Sequence, residues 1–539
     1  MRIDAINIKS EGQLIADYRN NRQEIMRFFD YHPYEALHVR VKELHKRNFK
    51  RNELSTILGK LNREWGASEA TLESIEKLKR PETVAVIGGQ QAGLLTGPLY
   101  SLNKVISIIQ FAKQQEEKLK IPVVPVFWIA GEDHDYEEIN HVYMPEKTEL
   151  KKHKLKQSLY KKTSVTHIEL DQNICKEWLN ELFSTMEETQ YTRDLYKMMI
   201  NKLEQSQSFT DFFARIILEL FQEEGLILID AAADEVRSIE SDYFVGLIEN
   251  QSKFSEKVYN TVVELKSLNY SLSLDIEPSD GHLFYHLDDE RVLLQRTENG
   301  LWKGKQDEIE LSTEELLEIA MNHPEKLSNN VVSRPLMQEM LLPTLAFIGG
   351  PGEISYWAAL KPAFQALDLK MPPVVPRLSY TYISSKVDKA MDLTGISINT
   401  AIHKGTEQQR TNWLQSKQQP LVNDVAEELK QTIEKAHQPM QQLAGEIRAD
   451  VEKLSEKNLF YLLREVDFLK GRMEQALESK YEKELEQFDM IQIAVQPERA
   501  FQERKWNPLP FLNQYGSDFI TQVTKHPSSF LEKHYAVYL

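Results

Sequence analysis

The chain has 539 residues, 41% of them hydrophobic and 27% charged, with a formal net charge of −17; at about 150 residues per domain this allows three or four units with one large core. Cys175 is the sole cysteine, which excludes a disulfide framework and a cysteine-built zinc site within the chain. The net acidity argues against nonspecific nucleic-acid binding. No run of about 18 apolar residues is present to span a membrane, and MRIDAINIKSEG lacks the apolar core of a secretion signal, so the expected setting is cytoplasmic.

Residues 1–80 are mixed, with Phe28, Phe29, Tyr31 and Tyr34 clustered around Pro33 and a charged helical pattern from Arg40 to Arg63. The first organised stretch is TVAVIGGQQAGLLTGPLYSLNKVISIIQ. Thr83 to Ile87 reads as a buried strand that Gly88 and Gly89 end. Gly93 and Gly97 keep the next loop free of bulk, and Pro98 suits a first helical turn. Leu102, Val105, Ile106 and Ile109 then follow at helical spacing. Strand, glycine loop and helix make a natural anion site, because free backbone N–H groups are expected to point into the loop mouth. A glycine-rich turn of any α/β protein has the same pattern, and the spacing fits neither the dinucleotide fingerprint nor the Walker loop. Gln90 and Gln91 are neutral amides at the strand end, suited to holding a polar substrate without adding charge.

A second central strand is expected at Val123 to Ile129, a nearly unbroken apolar run. It ends in Gly131-Glu132-Asp133-His134-Asp135-Tyr136-Glu137-Glu138. Ligands of open α/β sheets bind at that carboxyl edge. Flanking aspartates favour the protonated form of His134, which reads as a proton carrier or as a holder of carboxylate or phosphate. Asp133 and Asp135 suit an amine or a metal-bound nucleotide. An acid-decorated helix start is the competing explanation. The lysine-rich stretch that follows looks like an insertion, and Cys175 within it reads as inert.

Phe212 to Phe221 give one helix face, and Leu226 to Asp230 give a strand. YSLSLDI, HLFYHL and RVLLQR predict a small antiparallel insertion. Arg334 could clamp a carboxylate or phosphate. TLAFIGGPGEISYWAALKPAF then repeats the strand–glycine–helix pattern at Gly349 and Gly350. Glu353 is placed to receive a substrate amine or to cap its own helix. Tyr356 and Trp357 offer a hydroxyl and a stacking surface, and PPVVPRLSYTYI reads as the last core strand with Arg377 at its edge. From Leu429 to Leu469 apolar residues step by three and four among Glu, Lys and Gln, the pattern of long antiparallel coiled-coil helices. Pro439 is expected to kink the first of them. A stripe this long predicts a homodimer, unless the returning helix covers all of it.

These readings divide the chain into 1–145, the first part of an α/β parallel-sheet core; 146–208, a connecting insertion; and 209–264, core continuation. There follow 265–310, the antiparallel insertion; 311–384, the last part of the core; 385–500, the helical coiled coil; and 501–539, an aromatic segment that packs back on the body.

Together, GGQQAGLLTGPLY, PVFWIAGEDHDYEEIN and LAFIGGPGEISYWAALKPAF resemble the bacillithiol-biosynthesis cysteine-adding enzyme family, along essentially the whole chain. The resemblance implies a ligase joining L-cysteine to glucosaminyl-malate, with an α/β Rossmann-like parallel-sheet core related to class I aminoacyl-tRNA synthetases and a dimerising C-terminal coiled coil. Ala92 to Pro98 loosely resembles the first synthetase signature, with Thr96 and Pro98 where that motif has histidines. No lysine-containing second signature is visible.

On this reading Asp133, His134 and Asp135 are catalytic, accepting the proton of the attacking amine. Gln90, Gln91, Thr96, Asn103, Arg334, Glu353, Tyr356 and Trp357 bind substrate. Gly88, Gly89, Gly93, Gly97, Gly349, Gly350 and Arg377 hold ATP or another activating nucleotide, and no metal is expected. The alternative is a nucleotide- or sugar-binding scaffold that supports thiol biosynthesis without catalysing the ligation.

Overall fold

The structure, a computed structural model, describes residues 1–8, 12–146, 148–159, 161, 163–288 and 290–539; Lys147, Tyr160 and Lys162 of the lysine-rich stretch lie outside the described residues. The described chain forms two compact units. One comprises Met1–Glu146, Leu150–Tyr382 and Gln502–Leu539, and the main part of the other is Ile383–Phe501.

The strands are, in chain order, β1 (Arg2–Ile6), β2 (Val84–Gln90), β3 (Val123–Ile129), β4 (His141–Glu146), β5 (Glu149–Lys154), β6 (Ile227–Asp230), β7 (Asp280–Leu287), β8 (Glu290–Arg296), β9 (Trp302–Gly304), β10 (Glu310–Leu311), β11 (Leu327–Asn329), β12 (Thr344–Gly349), β13 (Val374–Pro376), β14 (Tyr380–Ile383) and β15 (His534–Tyr538). The core of the first unit is a parallel sheet of order β13-β12-β2-β3-β6. Chain order therefore reverses between β2 and β12, the position at which doubly wound sheets open a crevice for ligands. Strand β3 is buried throughout, which is why its sequence is an unbroken apolar run rather than an alternation. Helix Leu99–Leu119 covers β2 and β3 with Leu102, Val105, Ile106 and Ile109, all fully buried.

Strand β6 is an edge, and a neighbouring helix closes it. Asn62 of helix Arg51–Glu64 donates from Nδ2 to the Leu228 carbonyl at 2.8 Å and accepts from the Leu228 N–H at 3.0 Å. The side-chain amide takes the place of a further strand and leaves Leu228 nothing to offer another chain.

Three expectations are corrected. Gly88 and Gly89 do not end β2 but continue it, paired with Phe127 and Trp128. They are glycines because a Cβ at Gly89 would lie 2.6 Å from the Trp128 carbonyl, and one at Gly88 would lie 2.9 Å from Ile108 Cδ1. YSLSLDI forms no strand: β7 has β8 on one side and β11 on the other, so the alternation of residues 270–276 reports burial without pairing. PPVVPRLSYTYI is two strands, of which only β13 joins the parallel sheet; β14 pairs with β15 in the sheet β1-β15-β14.

That third sheet seats the carboxyl-terminal segment within the first unit. An ion pair anchors the same segment: Arg377 donates from both terminal nitrogens to Glu503 at 2.7 Å each, and Asn103 Nδ2 donates to the same carboxylate at 2.7 Å. Burial pushes the Glu503 carboxyl up, but the Arg377 guanidinium, helped by His534 and Asn103, outweighs burial and holds it at about 2.

In the second unit, helices Val422–Ile447 and Ala449–Lys480 form an antiparallel hairpin that turns at Arg448. The first helix runs through Pro439. Lys430 reaches Asp467 at 2.5 Å, and His437 meets Asn458 at 3.2 Å across the hairpin. Ile433, Val451 and Val466 are half-buried, but Leu443, Ile447 and Leu454 are 57%, 66% and 62% exposed, so the returning helix leaves part of the stripe uncovered. Helix Glu482–Val495 instead buries Leu485, Phe488 and Ile491 beside the shorter helices Ser385–Thr394, Ile398–Lys404 and Glu407–Gln415.

Glu503→Gln should lower unfolding stability by about 3 kcal/mol near pH 7, because it leaves the buried Arg377 charge uncompensated. A carboxyl whose folded pKa is depressed stabilises fully above its unfolded value of 4.5 and loses that contribution as pH falls through about 2. In urea titrations the gap between wild type and Glu503→Gln is therefore expected to be constant above pH 5 and to shrink steadily below about pH 4.5.

A candidate active site at the carboxyl edge of the parallel sheet

The two strand–glycine–helix joints, after β2 and after β12, stand side by side at the switch point. Lys104 ties them together. It lies on helix Leu99–Leu119, is 1% exposed, and donates to the Gly89 carbonyl at 2.6 Å, to Gln90 Oε1 at 3.0 Å and to Glu353 Oε2. Glu353 Oε2 also accepts the Gly350 N–H at 2.7 Å. Burial pushes the Lys104 ammonium down; Glu353 opposes this, and Arg377 and Arg334 add to it. Arg334 donates to the Tyr356 hydroxyl at 2.7 Å.

The glycine loops are not open anion nests. The Gly93 N–H donates to the Gln91 carbonyl at 3.0 Å and the Gly97 N–H to the Leu94 carbonyl at 2.8 Å. Asn507, from the carboxyl-terminal segment, donates to the carbonyls of Leu95 and Gly97 at 3.0 and 2.8 Å. A Cβ at Gly93 would fall 2.8 Å from Gly97 Cα, so this loop is glycine-rich because it folds tightly on itself. With the Gly350 N–H also taken, these residues do not fit a nucleotide phosphate as the sequence pattern predicts.

The acidic loop after β3 separates its residues by depth. Glu132 turns inward, pairs with Arg237 of helix Asp234–Ser267 and accepts the Asn329 N–H at 3.1 Å. Arg237 also donates to Glu240 at 2.9 Å. Burial pushes Glu240 up to about 8 against the pull of Arg237. Asp230, at the end of β6, is pushed up by burial to about 6, against hydrogen bonds from the Ala232 N–H and the Thr166 hydroxyl.

Asp133 and His134 lie shallower. Asp133 accepts from Gln91 Nε2 at 2.6 Å and from the His134 N–H at 2.8 Å. Asp135 is exposed at the start of the short helix Tyr136–Ile139. His134 Nδ1 lies 3.2 Å from Arg291 Nη1. It borders two clefts of about 840 and 870 Å³, which share His134, Leu159 and Lys161. Asp135, Tyr136, Lys152, Lys154 and Lys156 line the first; Phe284, Arg291, Lys305 and Glu308 line the second.

The structure thus brings Gln91 to Asp133, Gln90 to Glu353 through Lys104, and Arg334 to Tyr356. Four expected site residues face elsewhere. Asn103 and Arg377 are committed to Glu503. Thr96 is fully buried, its hydroxyl without a partner among the described residues. Trp357 is 1% exposed and stacks on Phe347 at 4.4 Å within the core, so it offers no stacking surface. Lys104, Glu132, Arg237 and Arg291 escaped the sequence reading as site residues. Lys104 left one signal, a charge flanked by Leu102, Val105 and Ile106 on a helix that is otherwise a core element.

Residues 1–378 match the family model described as bacillithiol biosynthesis BshC, N-terminal Rossmann-like domain, and residues 380–539 match its C-terminal coiled-coil domain. A protein named "Putative cysteine ligase BshC" from Oceanobacillus iheyensis is 42% identical over 547 residues, covering 100% of both chains. Proteins of the same name from Bacillus licheniformis and Bacillus cereus are 40% and 39% identical, again over 100% of both chains.

Removing Lys104 strands Glu353 and two further acceptors. Lys104→Met is expected to cost about 3 kcal/mol in denaturant titrations. The double variant with Glu353→Gln should lose less than the sum of the two single losses, because the pair acts as one unit.

Proposed function

The chain belongs to the BshC family of bacillithiol biosynthesis, and from that premise we propose that it is a cysteine ligase that forms an amide between the L-cysteine carboxyl and the amine of glucosaminyl-malate. The observation that carries this reading is the end-to-end match of both domains to that family, at about 40% identity to relatives that bear the cysteine-ligase name.

The site's chemistry agrees with an acyl transfer to an amine. Amide formation from a free carboxylate is uphill, so the acyl group arrives activated. The amine nitrogen bonds to the acyl carbon, the bond to the leaving group breaks with its electron pair, and the ammonium proton passes to a base. Asp133, His134 and Asp135 are the polar groups proposed to serve that step, and the one among them that acts as the base must lie within hydrogen-bond reach of the amine. Gln91, already bonded to Asp133, holds that carboxylate toward the joint. Arg334 gives the switch point a positive charge that a cysteine carboxylate or a malyl group needs. ATP or another nucleotide is the proposed activator, bound by groups other than the glycine loops. No helix among the described residues is long and apolar enough to cross a membrane.

The proposed assembly is a homodimer through the helical hairpin. Leu443, Ile447, Leu454, Phe468 and Leu469 stand exposed on it. Each leucine fully buried on association contributes roughly 1.5–3 kcal/mol, enough in several pairs to offset the cost of ordering two chains.

Purified protein incubated with cysteine, glucosaminyl-malate and single nucleotides should yield the amide product with at least one of them, followed by mass spectrometry. His134→Ala should lose this activity while its denaturation midpoint stays near that of wild type; full activity at normal stability would remove His134 from the site. Sedimentation at several micromolar concentrations should give the dimer mass, and replacing the tip of the hairpin by a short loop should give the monomer mass.

A further inference from the structure

The contact between Arg291 and His134 decides which way the histidine's hydrogen bonds run. A guanidinium has five N–H donors and no acceptor. With Arg291 Nη1 3.2 Å from His134 Nδ1, that ring nitrogen must accept. The imidazole proton then resides on Nε2, so the ring is a donor on its other side.

Arg291 cannot readily swing away. It lies on β8, its side chain is 4% exposed, and its guanidinium stacks on the Phe284 ring with 3.9 Å to the centroid. Nε donates to Ser328 Oγ at 3.2 Å and Nη2 to the Asn329 carbonyl at 2.9 Å, both acceptors being on β11. Phe284 also meets the His134 ring edge-on at 6.1 Å. The inserted antiparallel sheet therefore presses a fixed cation against one face of the loop after β3. Asp133 Oδ1 lies 3.9 Å from Nη1 of the same guanidinium.

We propose that Arg291 is a positioning residue that locks His134 as the Nε2–H tautomer, so that His134 donates a hydrogen bond to an anionic oxygen of the substrate and does not take the amine's proton. The oxygen belongs to a carboxylate or to the acyl group as it gains negative charge, where a fixed donor is worth most. Asp133 and Asp135 are then the groups that receive the proton. This assignment rests on the ligation reading for its substrate, but the tautomer itself does not.

The test has two arms. In wild-type protein labelled with nitrogen-15 histidine, the His134 pattern, identified by its loss in His134→Gln, should show Nε2 protonated and Nδ1 as an acceptor. Arg291→Gln should mix the two tautomers and Arg291→Lys should largely restore the wild-type pattern, which a merely structural role for Arg291 would not produce. In the ligation assay, His134→Gln keeps an amide N–H near the position of Nε2 and should stay within about tenfold of wild type, whereas His134→Ala should fall by 100-fold or more. A general base contributes about 10²–10⁴-fold, so a base at His134 would make the Gln and Ala variants equally poor. That equality, or a proton on Nδ1 in the wild-type spectrum, overturns the proposal. Absence of ligation in wild type with every nucleotide would overturn the ligation reading, and the spectrum would still decide the tautomer.

Discussion

The carboxyl edge of this fold's parallel sheet depends on one buried lysine. Lys104 carries its charge where water cannot solvate it, and it remains there because Gly89, Gln90 and Glu353 each supply an oxygen. A buried ammonium without such partners would cost several kcal/mol. The acceptors come from the last two residues of β2 and from the helix after β12, and the helices that follow these two strands are separated by more than two hundred residues of sequence. Glu353 spends the same oxygen on the Gly350 N–H, so the second joint is shaped by the first. The switch point is thus held by an electrostatic clasp, and the glycines around it serve close packing.

The carboxyl-terminal segment completes this arrangement from behind. Asn507 satisfies the carbonyls of the loop after β2, which carries positive φ at Leu95 and Thr96. Non-glycine residues in that region store strain and persist only when the surroundings hold them. Glu503 neutralises Arg377, and Gln502 pairs with the backbone of Tyr382 at 2.8 and 2.7 Å, much as a neighbouring strand would. The sheet edge is therefore assembled from both ends of the first unit's sequence, while the inserted antiparallel sheet contributes Arg291. Each contributor places a charge beside the loop after β3 or behind the glycine joints, and folding must bring all of them in before the edge has its final electrostatics.

Much of the fold was legible because apolar pattern reports burial. Val123 to Ile129, Leu226 to Asp230 and the spacing of Leu102, Val105 and Ile106 lead directly to the sheet and its covering helix. The failures have a common origin in pairing, which pattern does not report. Residues 270–276 alternate yet find no open ladder, and the run from Val374 to Ile383 splits because its second half meets β15. The placement of Gln91, Asp133 and His134 together at the sheet's carboxyl edge was legible, because chain order and the carboxyl-edge rule suffice for it. The placement of Asn103 and Arg377 was illegible, because their partner Glu503 lies 400 and 126 residues away. Arg291 was hidden for the same reason, its contact with His134 spanning 157 residues.

The central claim is that this chain makes the cysteine amide of bacillithiol biosynthesis. Thiol analysis of a strain from which this gene alone is deleted tests it most directly. The account predicts accumulated glucosaminyl-malate and no bacillithiol, with recovery when the wild-type chain is returned. Normal bacillithiol in the deletion strain would contradict it and leave the chain a scaffold.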